Sequence, residues 1–176
     1  MTEWLPEFVR ALPPELRSDF DAATYGESVA SSLSTFVVEG AAAWPGVKSP
    51  PLAQVQALAE KLDGRDAIAA QLSALHLVEL YLAIACGLGD DTAVATFERE
   101  FGADIQRAVL RGGGGNHGAE DLAQRVREKL FVSDGDRPAR IRAYAGRGSL
   151  RAWVRVTSVR TVLDVVRWDG ERRRRV

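Results

Sequence analysis

Apolar and polar positions in this chain recur with a helical period almost throughout, and no alternating valine-rich run between turn signals predicts a strand. The stretch that organises the reading is SLRAWVRVTSVRTVLDVVRW, Ser149 to Trp168. Ser149 is a good N-cap, Gly146 and Gly148 loosen the chain before it, and Asp169-Gly170 is expected to end it. On a helical wheel Leu150, Val154, Thr157, Thr161, Val165 and Trp168 share one stripe. Ala152, Val156, Val159, Leu163 and Val166 share roughly the opposite one. A helix apolar on two sides predicts a central helix packed between other elements. Its remaining seams are basic, with Arg151 and Arg155 on one edge and Trp153, Arg160 and Arg167 on the other.

Upstream, residues 2–10 predict a short helix with Trp4, Leu5 and Phe8 inward. Pro13-Pro14 punctuates the chain, and PELRSDFDAAT opens a helix with proline in its first turn. ESVASSLSTFVVEGAAAW continues helically to Pro45-Gly46, and Pro50-Pro51 starts PLAQVQALAEKLD, which Gly64 closes. The run Asp66 to Cys86 is almost wholly apolar and predicts one long buried helix, with His76 inside it as a satisfied core residue. After Gly87-Leu88-Gly89, Asp90-Asp91-Thr92 caps TAVATFEREFGADIQRAVLR, whose inner stripe is Val94, Phe97, Phe101, Ile105, Ala108 and Val109. GGGGNHG, residues 112–118, lacks the Gly-Lys-Ser/Thr of a P-loop and reads as a flexible turn.

In AEDLAQRVREKLFV, Glu120 and Asp121 suit the positive end of the helix dipole, and Leu122, Ala123, Val126 and Leu130 make the buried stripe. Asp121, Gln124 and Glu128 project together from the far side, flanked by Arg125 and Arg127. That face is either solvated charge or a docking surface. SDGDRPARIRAYAGRG then reads as a loop with one helical turn at Arg137–Tyr144.

Composition changes the picture in one respect. The 176 residues, 46% hydrophobic and 27% charged, suit one globular domain or two small ones. The net charge of −1 hides a division: residues 1–98 hold five Lys/Arg against fourteen Asp/Glu, and residues 99–176 hold eighteen against ten. Seventeen of those eighteen are arginine, the side chain that grips phosphate bidentately and stacks on bases. A tryptophan among guanidiniums suits single-stranded nucleic acid, although from this helix alone a core helix with solvated arginines and Trp153 as packing is the better reading. Cys86 is the one cysteine, so no internal disulfide forms, in keeping with a reducing cytoplasm, and its apolar surroundings predict a buried thiol. The acidic N-terminus is no signal peptide, and the most apolar window, LHLVELYLAIACGLG, is too short to span a membrane. His117 has no partner at ligand spacing, so no metal is expected. No nucleophile with its base and no cofactor fingerprint is present, and the chain reads as non-enzymatic.

Taken together, a Gly-Asp-capped helix with Phe and Glu-Arg, Ala-Glu-Asp-Leu-x-Gln, a basic loop ending Gly-Arg-Gly-Ser, then Leu-Arg-Ala-Trp-Val-Arg-Val and Leu-Asp-x-x-Arg resemble a known family. It is region 2, the core helical domain of bacterial RNA polymerase sigma factors, and above all of the small extracytoplasmic-function type. The resemblance covers roughly residues 88–175. Ala43-Trp44-Pro45-Gly46 through Leu80-Tyr81-Leu82-Ala83 also resembles the helical N-terminal extension of a divergent sigma branch. It implies an all-α fold with a helical extension at 1–86, a region 2-like domain at 88–170 and a basic tail or linker at 171–176.

The implied function is transcription initiation without a cofactor. The 119–132 helix would dock on the coiled-coil clamp helices of the polymerase's largest subunit through Asp121, Gln124, Arg125 and Glu128. The loop at 133–148, with Arg140 and Arg147, would hold a base flipped from the single-stranded −10 element. Trp153 would support strand opening, and Arg151, Arg155, Arg160 and Arg167 would hold the non-template backbone. An anti-sigma protein is a further partner that the resemblance allows. The alternative is a sigma-like interaction module that no longer opens promoters. A third is a helical DNA-binding regulator without polymerase contact. The family's Gln-Glu-x-Phe reads Gln124-Arg125-Val126-Arg127 here, which replaces an acid and an aromatic with arginines. No region 4 helix-turn-helix segment precedes the terminal ERRRRV, so the chain reads as an N-terminal piece of a longer factor or as a stand-alone region 2.

Overall fold

The computed structural model describes residues 3–112 and 118–174, and the described residues are helical with short connections. The glycine-rich turn around His117 lies outside them. Prolines start the early helices: Pro6 sits in the first turn of α1 (Leu5–Ala11), and Pro14 and Pro51 open α2 (Pro14–Asp19) and α5 (Pro51–Ala59). The expected PELRSDFDAAT helix is two, because Phe20 turns extended and Asp21 caps α3 (Ala22–Ser34), accepting the Ala23 N–H at 3.0 Å. A π-turn over Thr35–Glu39 carries α3 into α4 (Gly40–Ala43). Gly40 is required there: a Cβ would lie 2.5 Å from Tyr81 Cγ. Tyr81 also meets Phe36 edge-on, with ring centroids 5.3 Å apart.

The expected single helix from Asp66 to Cys86 is broken into α6 (Ile68–Ser73) and α7 (Leu77–Gly87). Apolar content alone cannot reveal the break, because its cause is distant. The His76 N–H donates to Gly146 O at 2.8 Å rather than continuing the helix. His76 therefore caps α7 with its ring exposed, its Nδ1 3.4 Å from a Glu79 oxygen, and is not the core residue expected. In α7 seven successive residues, Leu80, Tyr81, Leu82, Ala83, Ile84, Ala85 and Cys86, are buried. A helix buried all round is the centre of its fold.

That place was expected for the Ser149–Trp168 helix. It is instead α10 (Leu150–Arg174), packed along α8 (Asp91–Gly112) and buried on one side only. Leu150, Val154, Thr157, Thr161 and Val165 are inward as the stripe predicts, joined by Ser158 and Val162. Trp168, from the same stripe, is 64% exposed. On the opposite stripe Val156 is 51% and Leu163 48% exposed, and Ala152 is exposed too. Asp169-Gly170 does not stop the helix, which continues to Arg174.

Helix α8 begins as predicted. Asp90 Oδ1 accepts the Thr92 and Ala93 N–H groups at 3.0 and 3.1 Å, while Oδ2 accepts the Lys48 and Ser49 N–H groups, each at 2.6 Å. One carboxylate thus caps a helix and pins the loop before α5 to it. Phe97 packs against Phe101 and against Phe131 of α9 (Ala119–Phe131), with centroids 4.8 and 5.1 Å apart. Leu122, Ala123, Val126 and Leu130 are buried as their spacing predicts. A single apolar cluster runs from Phe8 to Val165, drawing on both halves of the chain.

Candidate functional site

The loop between α9 and α10 is built on residues of the first half. Asp134 and Arg137 exchange backbone hydrogen bonds at 2.9 Å around Gly135, and the Ala139 N–H donates to Ser133 Oγ at 3.2 Å. A 3-10 turn follows at Arg140–Ala143, burying Ile141. Four residues from before α8 grip what comes next. Lys61 Nζ donates to Arg142 O at 2.8 Å and to Tyr144 O at 3.0 Å. Burial, with the Arg142 charge beside it, holds the Lys61 ammonium below the usual lysine range, against a smaller upward pull from Glu60. Asp63 pairs with Arg147 at 3.1 Å. His76 holds the Gly146 carbonyl, and Gly146 sits at φ +74 against Leu80, a conformation that favours glycine.

Glu79 is the fourth. Its Oε2 accepts the Leu150 N–H at 2.9 Å and lies 3.3 Å from Tyr144 Oη, which also donates to Gly148 O at 2.6 Å. Burial, then the Glu79 charge, pushes the Tyr144 hydroxyl pKa well up, so it stays protonated and a donor. Ser149 Oγ accepts the Ala152 N–H at 3.2 Å, the cap its type predicts. Local sequence gave no signal for this clasp of Lys61, Asp63, His76 and Glu79. Only the opposite charge of the two halves hinted that they meet.

Along α10 the two basic edges differ. Trp153 is half-buried, its ring edge-on to Tyr144 with centroids 5.7 Å apart. Arg160 and Arg167 follow it on the same edge at intervals of about 10 Å. Both are exposed, and no carboxylate among the described residues pairs with either. Arg140 is likewise exposed without an ion pair. Arg151 and Arg155, on the other edge, both bond Asp104 of α8. Asp104 escaped the sequence reading, although a carboxylate beside Phe101 and Ile105 on an apolar stripe is itself a signal that partners are needed.

On α9, Asp121, Gln124, Arg125 and Glu128 are all exposed, and Gln124 Nε2 donates to Glu128 Oε1 at 3.4 Å. Arg127 does not flank them. It turns inward to Glu98 at 2.7 Å and Glu120 at 3.3 Å, and its pKa rises chiefly through the Glu98 hydrogen bond. Beside this face an open groove of about 590 Å³ runs between α8 and α9, walled by Val94, Glu98, Gln124, Arg127 and Phe131. Buried Cys86, its thiol pushed up to about 12 mainly by desolvation, offers no nucleophile at neutral pH. Among the described residues no three His, Cys, Asp or Glu gather as a metal site, and no helix is long and apolar enough to cross a membrane.

No family model, curated protein or solved structure matches this chain.

Proposed function

We propose that the chain is a transcription initiation module of the sigma region 2 kind, binding core RNA polymerase through α9 and a single strand of the promoter −10 region along α10. The observation that carries this reading is the open edge of α10, where Arg160 and Arg167, with no ion pair among the described residues, follow the half-buried Trp153 ring. Phosphates meet the guanidiniums, and a base stacks on the ring face that Tyr144 leaves uncovered. Support also comes from the exposed Asp121, Gln124 and Glu128 row, a polar face suited to a basic partner helix. The clasped 140–149 loop fits a rigid pocket that needs little ordering when it takes up a base.

The test is capture of core polymerase by the folded chain. Asp121→Lys with Glu128→Lys should lose capture while helical circular dichroism stays unchanged. Equal capture by the wild type and the double variant sinks the docking claim. On a promoter with a pre-opened −10 segment, the polymerase complex should hold the non-template strand, and failure to do so sinks the strand-binding claim.

One observation favours a second reading, that of a module capturing a protein partner without opening promoters. Val156 and Leu163 leave an apolar strip between the two basic edges, and a phosphate backbone has little use for such a surface. Partner capture without any nucleic-acid binding decides for it.

A further inference from the structure

Asp104 stands mid-way along α8 with its side chain 0% exposed, and three guanidiniums close over it. Arg107 Nη2 and Arg155 Nε both donate to Oδ1, at 2.9 and 2.7 Å, and Arg151 Nη1 donates to Oδ2. Arg151 is fixed twice more, through Nη2 to Glu100 O at 3.3 Å and by its place 5.0 Å from the Phe101 ring centroid. One carboxylate offsets one of these three cations. Among the described residues no second carboxylate pairs with any of them. Two positive charges therefore remain, gathered where α8 and α10 meet, at a Coulomb cost that a simple staple between two helices would avoid with one arginine.

The surplus is aimed at solvent. Arg155 spends only Nε on Asp104 and keeps Nη1 and Nη2; Arg107 spends Nη2 and keeps Nε and Nη1. The Arg107, Arg151 and Arg155 side chains are 56%, 42% and 56% exposed. The unused guanidinium nitrogens of Arg107 and Arg155 are the donors a phosphate's oxygens take, and the carboxylate that orients both side chains removes much of the ordering cost.

We propose that Arg107, Arg151 and Arg155, gathered on Asp104, form a preorganised seat for one phosphate group. Arg107 enters through this geometry alone, since it lies on α8 and outside the basic edges of α10. That the phosphate belongs to a nucleic-acid strand rests on the proposed function; the seat itself does not.

The experiment titrates the folded full chain with inorganic pyrophosphate and, separately, with a single-stranded oligonucleotide over a range of salt. Arg107→Gln should weaken both about two- to fivefold, the worth of one partly exposed ion pair. It should also flatten the log–log salt slope for the oligonucleotide by about 0.7. Arg10→Gln, an exposed arginine on α1, should leave both affinities as in the wild type. If Arg107→Gln fails to fold, Arg107→Lys serves: it should keep the salt slope but lose pyrophosphate affinity, because charge remains and the fork is gone. Weakened pyrophosphate binding with no oligonucleotide binding by any variant keeps the seat and overturns the strand as its source. Unchanged affinity for both probes in Arg107→Gln overturns the seat and leaves strand binding on Arg160 and Arg167. Equal losses in Arg107→Gln and Arg10→Gln overturn it too, because the effect is then net charge alone.

Discussion

Glu79 of α7 accepts the backbone N–H of Leu150 at 2.9 Å, so the first residue of α10 is capped by a side chain seventy-one positions earlier. The same oxygen faces Tyr144 and His76. The start of α10, and with it the position of Trp153, is therefore decided by the first half of the chain. Glu79→Ala should cost about 1–3 kcal/mol, the range for a lost cap and a buried donor left unpaired. Urea unfolding measures the total, and amide exchange should rise first over residues 144–152. Unchanged exchange there would mean that Ser149 alone fixes the helix start.

Asp90 should give the fold an acid-sensitive joint. Burial raises its pKa, but the hydrogen bonds from Thr92, Lys48, Ala93 and Ser49 outweigh burial and hold it far below the usual carboxylate range. A carboxylate depressed in the folded state stabilises fully above its unfolded pKa of about 4, and that contribution disappears as pH falls below it. Asp104, lowered by its arginines despite burial, has the same sign. Asp90→Asn should accordingly be less stable than the wild type at pH 7, and the gap should narrow between about pH 4 and pH 2. A gap independent of pH would show that hydrogen-bond count, and not charge, does the work.

Trp153→Ala should lower stability and strand binding together, because its ring is packed on Tyr144 and half open to solvent. The binding loss expected for one stacked base is about 1–3 kcal/mol. Trp153→Phe separates the two effects by restoring packing with a smaller stacking face. Equal binding by wild type and a folded Trp153→Ala, read by fluorescence anisotropy of a labelled non-template oligonucleotide, removes the stacking role.

Arg160→Gln and Arg167→Gln should leave thermal stability within about 0.5 kcal/mol, as for exposed residues without partners. Each should lower the salt slope of strand binding by about 0.7. Leu163→Ser, on the strip between the edges, should not alter strand binding at all. If it abolishes capture of a protein partner instead, the interaction reading gains over promoter opening.

The amphipathic stripes of α8 and α9 were legible in the sequence because helical periodicity is a local property, and Phe97, Phe101, Ile105, Leu122 and Val126 fall where their spacing puts them. The α6–α7 break was not, since Gly146 imposes it from seventy residues away. Periodicity also misjudged α10, because a second apolar stripe does not say whether anything covers it. Of the candidate site, residue types and edges were readable: Trp153, Arg160 and Arg167 do share one open edge. The division of labour among the arginines was not, for it depends on Asp104 and Asp63, which only the tertiary fold brings near.

The unbroken core from Phe8 to Val165 bears on how the protein is made. Val162 and Val165 close the same apolar cluster that Phe8 and Leu12 begin, so the cluster cannot be completed until nearly all 176 residues have left the ribosome. At about 5–20 residues per second, the stretch from Leu77 to Cys86 waits several seconds for its last covering helix. During that interval α7 has the first-half elements α4 and α5 against it but still lacks α8, the 140–143 turn and α10. The net negative charge of the first half then opposes contact between nascent chains, a use apart from the pairing of Asp63 and Glu79 with the second half in the finished fold.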